Sequence, residues 1–218
     1  GQARLTNCFS EQTDDDAKAP WVIYGTAGLT NFGAALAGGG IRAKIVVNGT
    51  LYAVAGRNVY AVSIDGTSTR IGSIPTDGAV YMERNRRVPP QIGIVSSGFF
   101  YVIDTGTNSL TQVLDVDLQS PISLSFLDGY GILPISNGRF MLTALDDFTQ
   151  IDGLDIGTAE AFPDKAAEIA KLSNTALFIS TTNRSVADQV TVVEAWRLPV
   201  GNLPGRHVII TENCTLCD

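Results

Sequence analysis

Few residues of this 218-residue chain have types and spacings that could do chemistry. Cys214 and Cys217 lie three positions apart, a spacing with which two thiolates can share a metal ion or close a disulfide. Only Cys8 and His207 could complete a ligand set. No strand-then-helix pattern surrounds the pair, so the sequence favours an incidental pair over a redox or metal site.

Carboxylates cluster in two places. Four aspartates within ten residues could offer oxygen ligands to calcium, but their spacing does not match a calcium-binding loop. These four are Asp146, Asp147, Asp152 and Asp155. A second pair, Glu160 and Asp164, could serve a glycosidase, but this chemistry depends on a separation that the sequence does not contain. The sequence favours a solvated loop for the first group.

Nucleophilic and phosphate-binding motifs are incomplete. With His207 as the only histidine, any site that needs two imidazoles is excluded. No Gly-x-Ser-x-Gly elbow is present, and Gly38-Gly39-Gly40 lacks the Lys-Ser/Thr of a phosphate-binding loop. We therefore predict no catalytic residue, no metal and no cofactor, and interpret the chain as not an enzyme.

The one dense basic cluster comprises Arg84, Arg86 and Arg87, just before Pro89-Pro90. The chain has 15 basic and 22 acidic residues and a net charge of −7, so this cluster creates a local exception. It is either a solvated loop, a contact with a polyanion such as DNA, or a contact with an acidic neighbouring subunit. The acidic balance excludes a chain whose whole surface binds nucleic acid.

The elements that must position these residues repeat along the chain. Short runs of β-branched and aromatic residues are separated by pairs of turns, and the two turns of a pair are nine residues apart. This pattern occurs four times. The first turns are at 48/49, 97/98, 128/129 and 173/174, and the second at 57/58, 106/107, 137/138 and 182/183. Asn-Gly and Asp-Gly supply the positive φ that two-residue hairpins need. We predict an all-β chain, a β-propeller-like array of four small antiparallel sheets.

The repeats divide the chain into three parts. The four repeats cover residues 41–75, 79–115, 121–155 and 164–198. Residues 1–40 show little alternation and are predicted to form an extended N-terminal arm, and residues 199–218 a Pro/Gly-rich C-terminal tail. Residues 164–172 contain strong helix formers, but the repeat favours a strand there.

The arm contains large apolar side chains, among them Phe9, Trp21 and Phe32. Leaving each of them in water costs about 1.5–3 kcal/mol. We therefore predict that they pack on the repeats or across a subunit boundary. No run of about 18 apolar residues is present, so no membrane insertion by this chain is expected.

Several motifs in a fixed order resemble a known family. They are Arg4-Leu-Thr-Asn7 with Glu11, Pro20-Trp21, Gly25-Thr-Ala-Gly28-Leu29, Asn48-Gly-Thr-Leu-Tyr-Ala-Val-Ala55, Leu127-Asp-Gly-Tyr130, Ala159-Glu160 with Pro163-Asp164, and Val193-Glu-Ala-Trp196. Over about residues 2–196 the chain resembles the packaged-DNA stabilisation proteins of short-tailed bacteriophages, also described as tail hub or nozzle proteins. Family members are longer, so a short version or a fragment is expected.

The resemblance implies a structural part of the phage tail, without catalytic residues. It would form a homo-oligomeric ring, expected to be a hexamer, below the portal and its adaptor. The ring would retain packaged DNA and form part of the ejection conduit, with non-specific contact to passing DNA. Its partners would be further copies, the portal-adaptor and other tail proteins, in the virion tail after assembly in the host cytoplasm. The alternative is a small β-propeller module that binds a glycan or peptide.

Overall fold

The computed structural model describes residues 8–12, 20–26, 28, 30–75, 78–135, 138–158, 166–172, 175–184, 188–197 and 201–211. Every regular element in these ranges is a β-strand, so the predicted all-β class is confirmed. Within these ranges no helix is long and apolar enough to cross a bilayer.

The strands are β1 (Cys8–Gln12), β2 (Trp21–Gly25), β3 (Ile41–Val47), β4 (Thr50–Ala55), β5 (Asn58–Val62), β6 (Ser68–Ser73), β7 (Val80–Arg84), β8 (Gln91–Ser96), β9 (Phe99–Asp104), β10 (Ser109–Gln112), β11 (Ser125–Leu127), β12 (Tyr130–Pro134), β13 (Arg139–Ala144), β14 (Asp147–Thr158), β15 (Ala166–Leu172), β16 (Thr175–Arg184), β17 (Asp188–Arg197) and β18 (Gly201–Thr211). β1 and β2 pair as a hairpin. The others form four antiparallel four-stranded sheets in chain order, β3 to β6, β7 to β10, β11 to β14 and β15 to β18, here called the first to fourth sheets.

Three of the predicted hairpin turns have positive φ at both central residues, as a type I′ turn requires. They are Asn48-Gly49, Ser97-Gly98 and Asp128-Gly129, with φ between 50° and 96°. The fourth turn, at 173/174, lies outside the described residues. The strands on either side of it pair with Leu172 opposite Thr175. The local turn chemistry therefore places these hairpins correctly.

The predicted first turn has a different place in the second sheet from its place in the first. The turn at 48/49 joins the first and second strands of its sheet, whereas the turn at 97/98 joins the second and third, because β7 precedes β8. The first strands begin at residues 41, 80, 125 and 166, which are 39, 45 and 41 residues apart. Each sheet has four strands, one more than the two turns of each predicted repeat imply. The turn predicted at 182/183 is wrong, since β16 continues to Arg184 with Thr182 opposite Val190.

The two ends of the repeat region also form strands. Residues 166–172 form β15, as the repeat predicted against helix propensity, and Ile169 is buried against the third sheet. Residues 201–211 form β18 and pair with β17, where a tail was expected. Pro204 is compatible with a strand there because β18 is the edge strand of its sheet. The division into arm, repeats and tail stays a prediction.

The sheets pack face to face, so that each inner sheet contributes to two cores. In β9, Tyr101 and Ile103 face the first sheet, whereas Phe100 and Val102 face the third. Successive side chains of a strand point to opposite faces, which is why one short strand can serve both cores. Gly93 of β8 gives the ring of Phe148 room, since a Cβ there would lie 3.1 Å from that ring.

Polar side chains connect the first and second sheets. The Tyr52 hydroxyl donates to Asn108 Oδ1 at 2.6 Å. The Arg42 guanidinium donates to the carbonyl oxygens of Gly56 and Gly78, both at 2.8 Å, and to Ser96 Oγ at 3.3 Å. One arginine thus joins a turn, a sheet connection and a strand of the neighbouring sheet.

The predicted extended arm contains the β1–β2 hairpin, and its last residues lie on the outer face of the first sheet. Leu36 packs against Tyr60 and Val62. The Tyr60 hydroxyl donates to the Ala37 carbonyl at 2.8 Å. Gly33 contacts Gly66 backbone to backbone, and both have positive φ. Residues 33–40 are therefore anchored to the sheet that they precede.

The core between the second and third sheets should dominate the stability of the stack. Phe148 is fully buried there and makes edge contacts with Phe100 and Phe126. We expect Phe148→Ala to lower the free energy of unfolding by about 3–5 kcal/mol in urea denaturation, because it leaves a cavity. The control Ile64→Ala, at an exposed turn position, should change it by less than about 0.5 kcal/mol. Equal effects of the two variants would contradict this packing.

Candidate interface at the β7–β8 loop

The three predicted arginines lie together at the end of the second sheet. Arg84 ends β7, and Arg86 and Arg87 lie in the loop of residues 85–90 that leads to β8. All three line an open cleft of about 840 Å³. Its other walls include Asn48 and Asp128, from the first turns of the first and third sheets, and Phe126 of β11.

A buried amide pair holds this loop in place. Asn85 Oδ1 accepts from the backbone N–H of Gln91 at 2.7 Å, and Asn85 Nδ2 donates to Gln91 Oε1 at 2.8 Å. The same Nδ2 donates to the Asp146 carbonyl at 2.9 Å, and Gln91 Oε1 accepts from the Phe148 N–H at 2.9 Å. Because buried amides must find partners, the pair fixes the loop against the β13–β14 turn. We call this arrangement the amide clasp.

Two of the arginines form ion pairs across the sheet boundary. Arg86 Nε and Nη2 lie 3.2 and 3.3 Å from the two carboxylate oxygens of Asp146, and its guanidinium carbon is 6.0 Å from the centre of the Phe126 ring. Arg87 Nη1 lies 3.4 Å from Asp147 Oδ2. Both arginines are half-exposed, so each pair contributes only about 0–1 kcal/mol. The sequence showed the arginines but not these partners, which are 60 residues away.

Asp147 is the most strongly held of these carboxylates. Its Oδ1 accepts from Gln91 Nε2 at 3.2 Å, from the Thr149 N–H at 2.9 Å and from Thr149 Oγ1 at 2.7 Å. Burial alone would raise the pKa of Asp147, but the hydrogen bonds from Thr149 and Gln91 and the charge of Arg87 hold that pKa below its ordinary value of 3.8. Asp147 is therefore ionised at neutral pH.

The charge of the cleft is balanced rather than positive. Against the three arginines stand four carboxylates on or beside its walls, those of Glu83, Asp128, Asp146 and Asp147. Arg84 is exposed and lines the cleft. The local positive potential is thus smaller than the spacing of the arginines suggested. Whether the arginines contact DNA or a subunit stays a prediction.

The remaining candidate sites from the sequence are not assembled in the described residues. There, no group of three or more His, Cys, Asp or Glu residues is placed to hold a metal ion. Asp152 Oδ1 accepts from the Leu154 N–H at 2.9 Å, which is a local turn contact. Cys214, Cys217, Glu160 and Asp164 lie outside the described residues. His207 is in β18, opposite Glu194 in the register.

The predicted arm residues are half-exposed. Phe9, Trp21 and Phe32 have 50 %, 57 % and 61 % of their surface exposed. Phe9 stacks on Tyr24, which lies opposite it in the hairpin, with 5.6 Å between ring centres. Phe9 and Tyr24 therefore share one face of the hairpin. Trp21 is three residues before Tyr24 on the same strand, so its side chain points to the other face. Packing on the repeats does not account for these side chains, so contact across a subunit boundary stays a prediction.

Comparison with protein families gives one match. The family model described as "Bacteriophage P22 Gp10, beta-propeller" matches residues 13–190. No curated protein matches the sequence.

Solved structures share the fold at low identity. YCF48 bound to D1 peptide is 9 % identical with a TM-score of 0.53, covering 87 % of this chain and 56 % of that one. The computationally designed Ika8 protein is 14 % identical with a TM-score of 0.50, covering 96 % and 75 %. The N-terminal domain of Nup159 is 10 % identical with a TM-score of 0.50, covering 78 % and 47 %. The chain spans about half the length of three chains that it matches, 47–50 % of each. These likenesses show the fold alone.

The hydrogen bonds of Asp147 predict a pH-dependent stability. Because its pKa is lower when folded, the stabilisation is fully present above its ordinary pKa of 3.8 and is lost as the pH falls through the folded-state pKa. We expect Asp147→Asn to lower the free energy of unfolding by about 1–2 kcal/mol near neutral pH. The difference from the wild type should shrink below about pH 4, as urea denaturation at several pH values would show.

A matched control is Asp128→Asn, because Asp128 lines the same cleft and Asn tolerates its positive φ of 51°. It should change the free energy of unfolding by less than about 0.5 kcal/mol. A difference between Asp147→Asn and the wild type that is constant with pH would contradict the assignment.

Proposed function

The chain belongs to the bacteriophage P22 Gp10 β-propeller family and is thus a phage structural protein, and from this premise we propose that it forms a ring in the phage tail hub or nozzle. The ring would lie below the portal and its adaptor, would be a homo-oligomer such as a hexamer, and would help to keep packaged DNA inside the particle. The protein would be assembled into the tail in the host cytoplasm and would catalyse no reaction.

The observation that carries this proposal is the aromatic hairpin of β1 and β2. An isolated two-stranded hairpin is at best marginally stable in water. Here Phe9 and Tyr24 lie on one face and Trp21 and Ile23 on the other, and all four are about half-exposed. A hairpin that presents large apolar side chains on both faces is suited to insertion between other surfaces.

Insertion into a neighbouring copy would produce a ring by simple geometry. The hairpin and its receptor would be different surfaces of the same chain, so the contact is heterologous and each copy has one of each. Such contacts close into a ring when the rotation that relates neighbouring copies is a whole fraction of a full turn. The anchored residues 33–40 would hold the base of each hairpin on its own first sheet, so that a docked hairpin transmits load to the sheets.

Retention of DNA would follow from the ring as an obstacle rather than from sequence recognition. A conduit for any genome must contact phosphates without reading bases. Its binding must also be weak, because strong phosphate contacts would retard ejection. The balanced charge of the β7–β8 cleft and the net charge of −7 are compatible with weak contact.

The hairpin variant Phe9→Ser with Trp21→Ser tests the proposal. The wild-type chain, alone or with the portal-adaptor, should sediment as an oligomer at micromolar concentration, and the variant should sediment as smaller species. Particles assembled with the variant should lose more DNA. Thermal unfolding of the variant should be unchanged, because neither side chain belongs to the cores between the sheets.

The control is Ile64→Ser, which also removes an exposed apolar side chain, in the β5–β6 turn. It should assemble like the wild type. A wild-type chain that remains monomeric with the adaptor present would overturn the ring and would favour the alternative, a binding module for a glycan or peptide.

A further inference from the structure

A second exposed apolar surface lies far from the hairpin in sequence. It is formed by the connection from β10 to β11 and by the middle of β14. Val116 and Leu154 are its tips, with 97 % and 90 % of their surface exposed. They are surrounded by carboxylates, and we call the whole surface the ridge. Its residues are Asp115, Val116, Asp117, Asp152, Leu154 and Asp155.

The two parts of the ridge are one surface with a defined shape. In the pairing of β13 and β14, Met141 faces Ile156 and Thr143 faces Ile151, so residues 152–155 bulge out of the sheet. Gly153 of this bulge packs on Asp117, since a Cβ there would lie 2.7 Å from Asp117 Cγ. Asp115 Oδ1 accepts from the Asp117 N–H at 2.9 Å, which fixes the other loop. The contact of Gly153 with Asp117 thus brings the bulge that carries Leu154 against the loop that carries Val116.

The opposite combination occurs at the β7–β8 loop. Val88 is 91 % exposed at its tip, and Arg84, Arg86 and Arg87 surround it. The ion pairs occupy only two N–H groups of Arg86 and one of Arg87, and each guanidinium has five donors. The amide clasp holds the loop in one conformation, so that little conformational entropy is lost on binding.

We propose that the Arg84–Val88 loop of one copy docks on the ridge of a second copy. Val88 would contact Val116 and Leu154, while the arginines would bind the surrounding aspartates. Exposed aliphatic side chains at the centre and complementary charges at the rim are the usual arrangement of a protein interface. Because the two surfaces are different parts of one chain, the contact is heterologous, as a ring requires.

A subunit fits the loop better than DNA does. An exposed valine at the tip adds nothing to phosphate binding but gains from burial in an apolar contact. This inference rests on the proposed ring and names one of its contacts.

Exchange of charge between the two surfaces tests the contact in the full chain. The loop variant is Arg84→Glu with Val88→Glu, and the ridge variant is Asp117→Lys with Asp155→Lys. Each variant alone would place like charges in contact, so sedimentation should show self-association weakened at least about tenfold. In an equimolar mixture, the native loop of the ridge variant can meet the native ridge of the loop variant. The reversed loop can likewise meet the reversed ridge, so that opposite charges face each other in both contacts. The mixture should therefore associate as well as the wild type.

The control variant is Arg70→Glu with Ile64→Glu, which also changes one exposed arginine and one exposed aliphatic residue, in β6 and in the β5–β6 turn. It should associate like the wild type. Circular dichroism of each variant would show that the fold is retained.

The outcomes separate this inference from the ring itself. If the wild type forms the oligomer and the loop and ridge variants do so equally well, the ring stands and the loop–ridge contact is wrong. If the loop variant weakens DNA retention in particles and the ridge variant does not restore it, the loop contacts DNA and the inference is overturned. A wild-type chain that stays monomeric with the adaptor overturns the ring by a separate measurement.

Discussion

The structure depends on one constraint, that a thin sheet must bury both of its faces. Strands β8, β9 and β12 are nearly all buried, and their side chains alternate between one neighbouring sheet and the next. This alternation imposes the face-to-face stack, because no single partner could cover both sides. At the first sheet the chain covers part of the outer face with its own residues 33–40. Within the described residues, the aromatic side chains of the hairpin before them stay about half-exposed, and the proposed contacts between molecules use these side chains.

The same packing determines the geometry of the candidate interface. The second and third sheets share the core around Phe148, and the β13–β14 turn next to this residue is thereby brought to the β7–β8 loop. The amide clasp then satisfies polar groups that the packing has buried. Loop rigidity is thus a consequence of the core, and the ion pairs of Arg86 and Arg87 add orientation more than stability.

The surfaces left over after this packing are suited to assembly. Within the described residues, four large exposed apolar side chains lie on the hairpin, one on the β7–β8 loop and two on the ridge, and the others are scattered. The first is aromatic, the second carries arginines paired with carboxylates, and the third is acidic. A phage structural propeller with three chemically distinct surfaces can contact neighbours in different directions. Among the described residues that line the cleft, no group of three or more His, Cys, Asp or Glu is placed to hold a metal ion.

Much of the fold was predictable from the sequence because its determinants are local. Positive φ at Asn48-Gly49 and Asp128-Gly129 is a property of the residues themselves, and so is the alternation of the strands that follow. The order of the motifs was also sufficient to identify the family. The loop arginines and the arm aromatics were recognised by residue type.

Their surroundings were not predictable, because they depend on which sheet lies beside which. Contacts between distant segments determine the place of the 97/98 turn in its sheet, the strand at residues 201–211, the partners of Arg86 and Arg87, and the ridge. Local backbone preferences act between residues that are neighbours in sequence. Charge balance and burial depend on residues that are neighbours in space, and only the tertiary structure determines which residues these are.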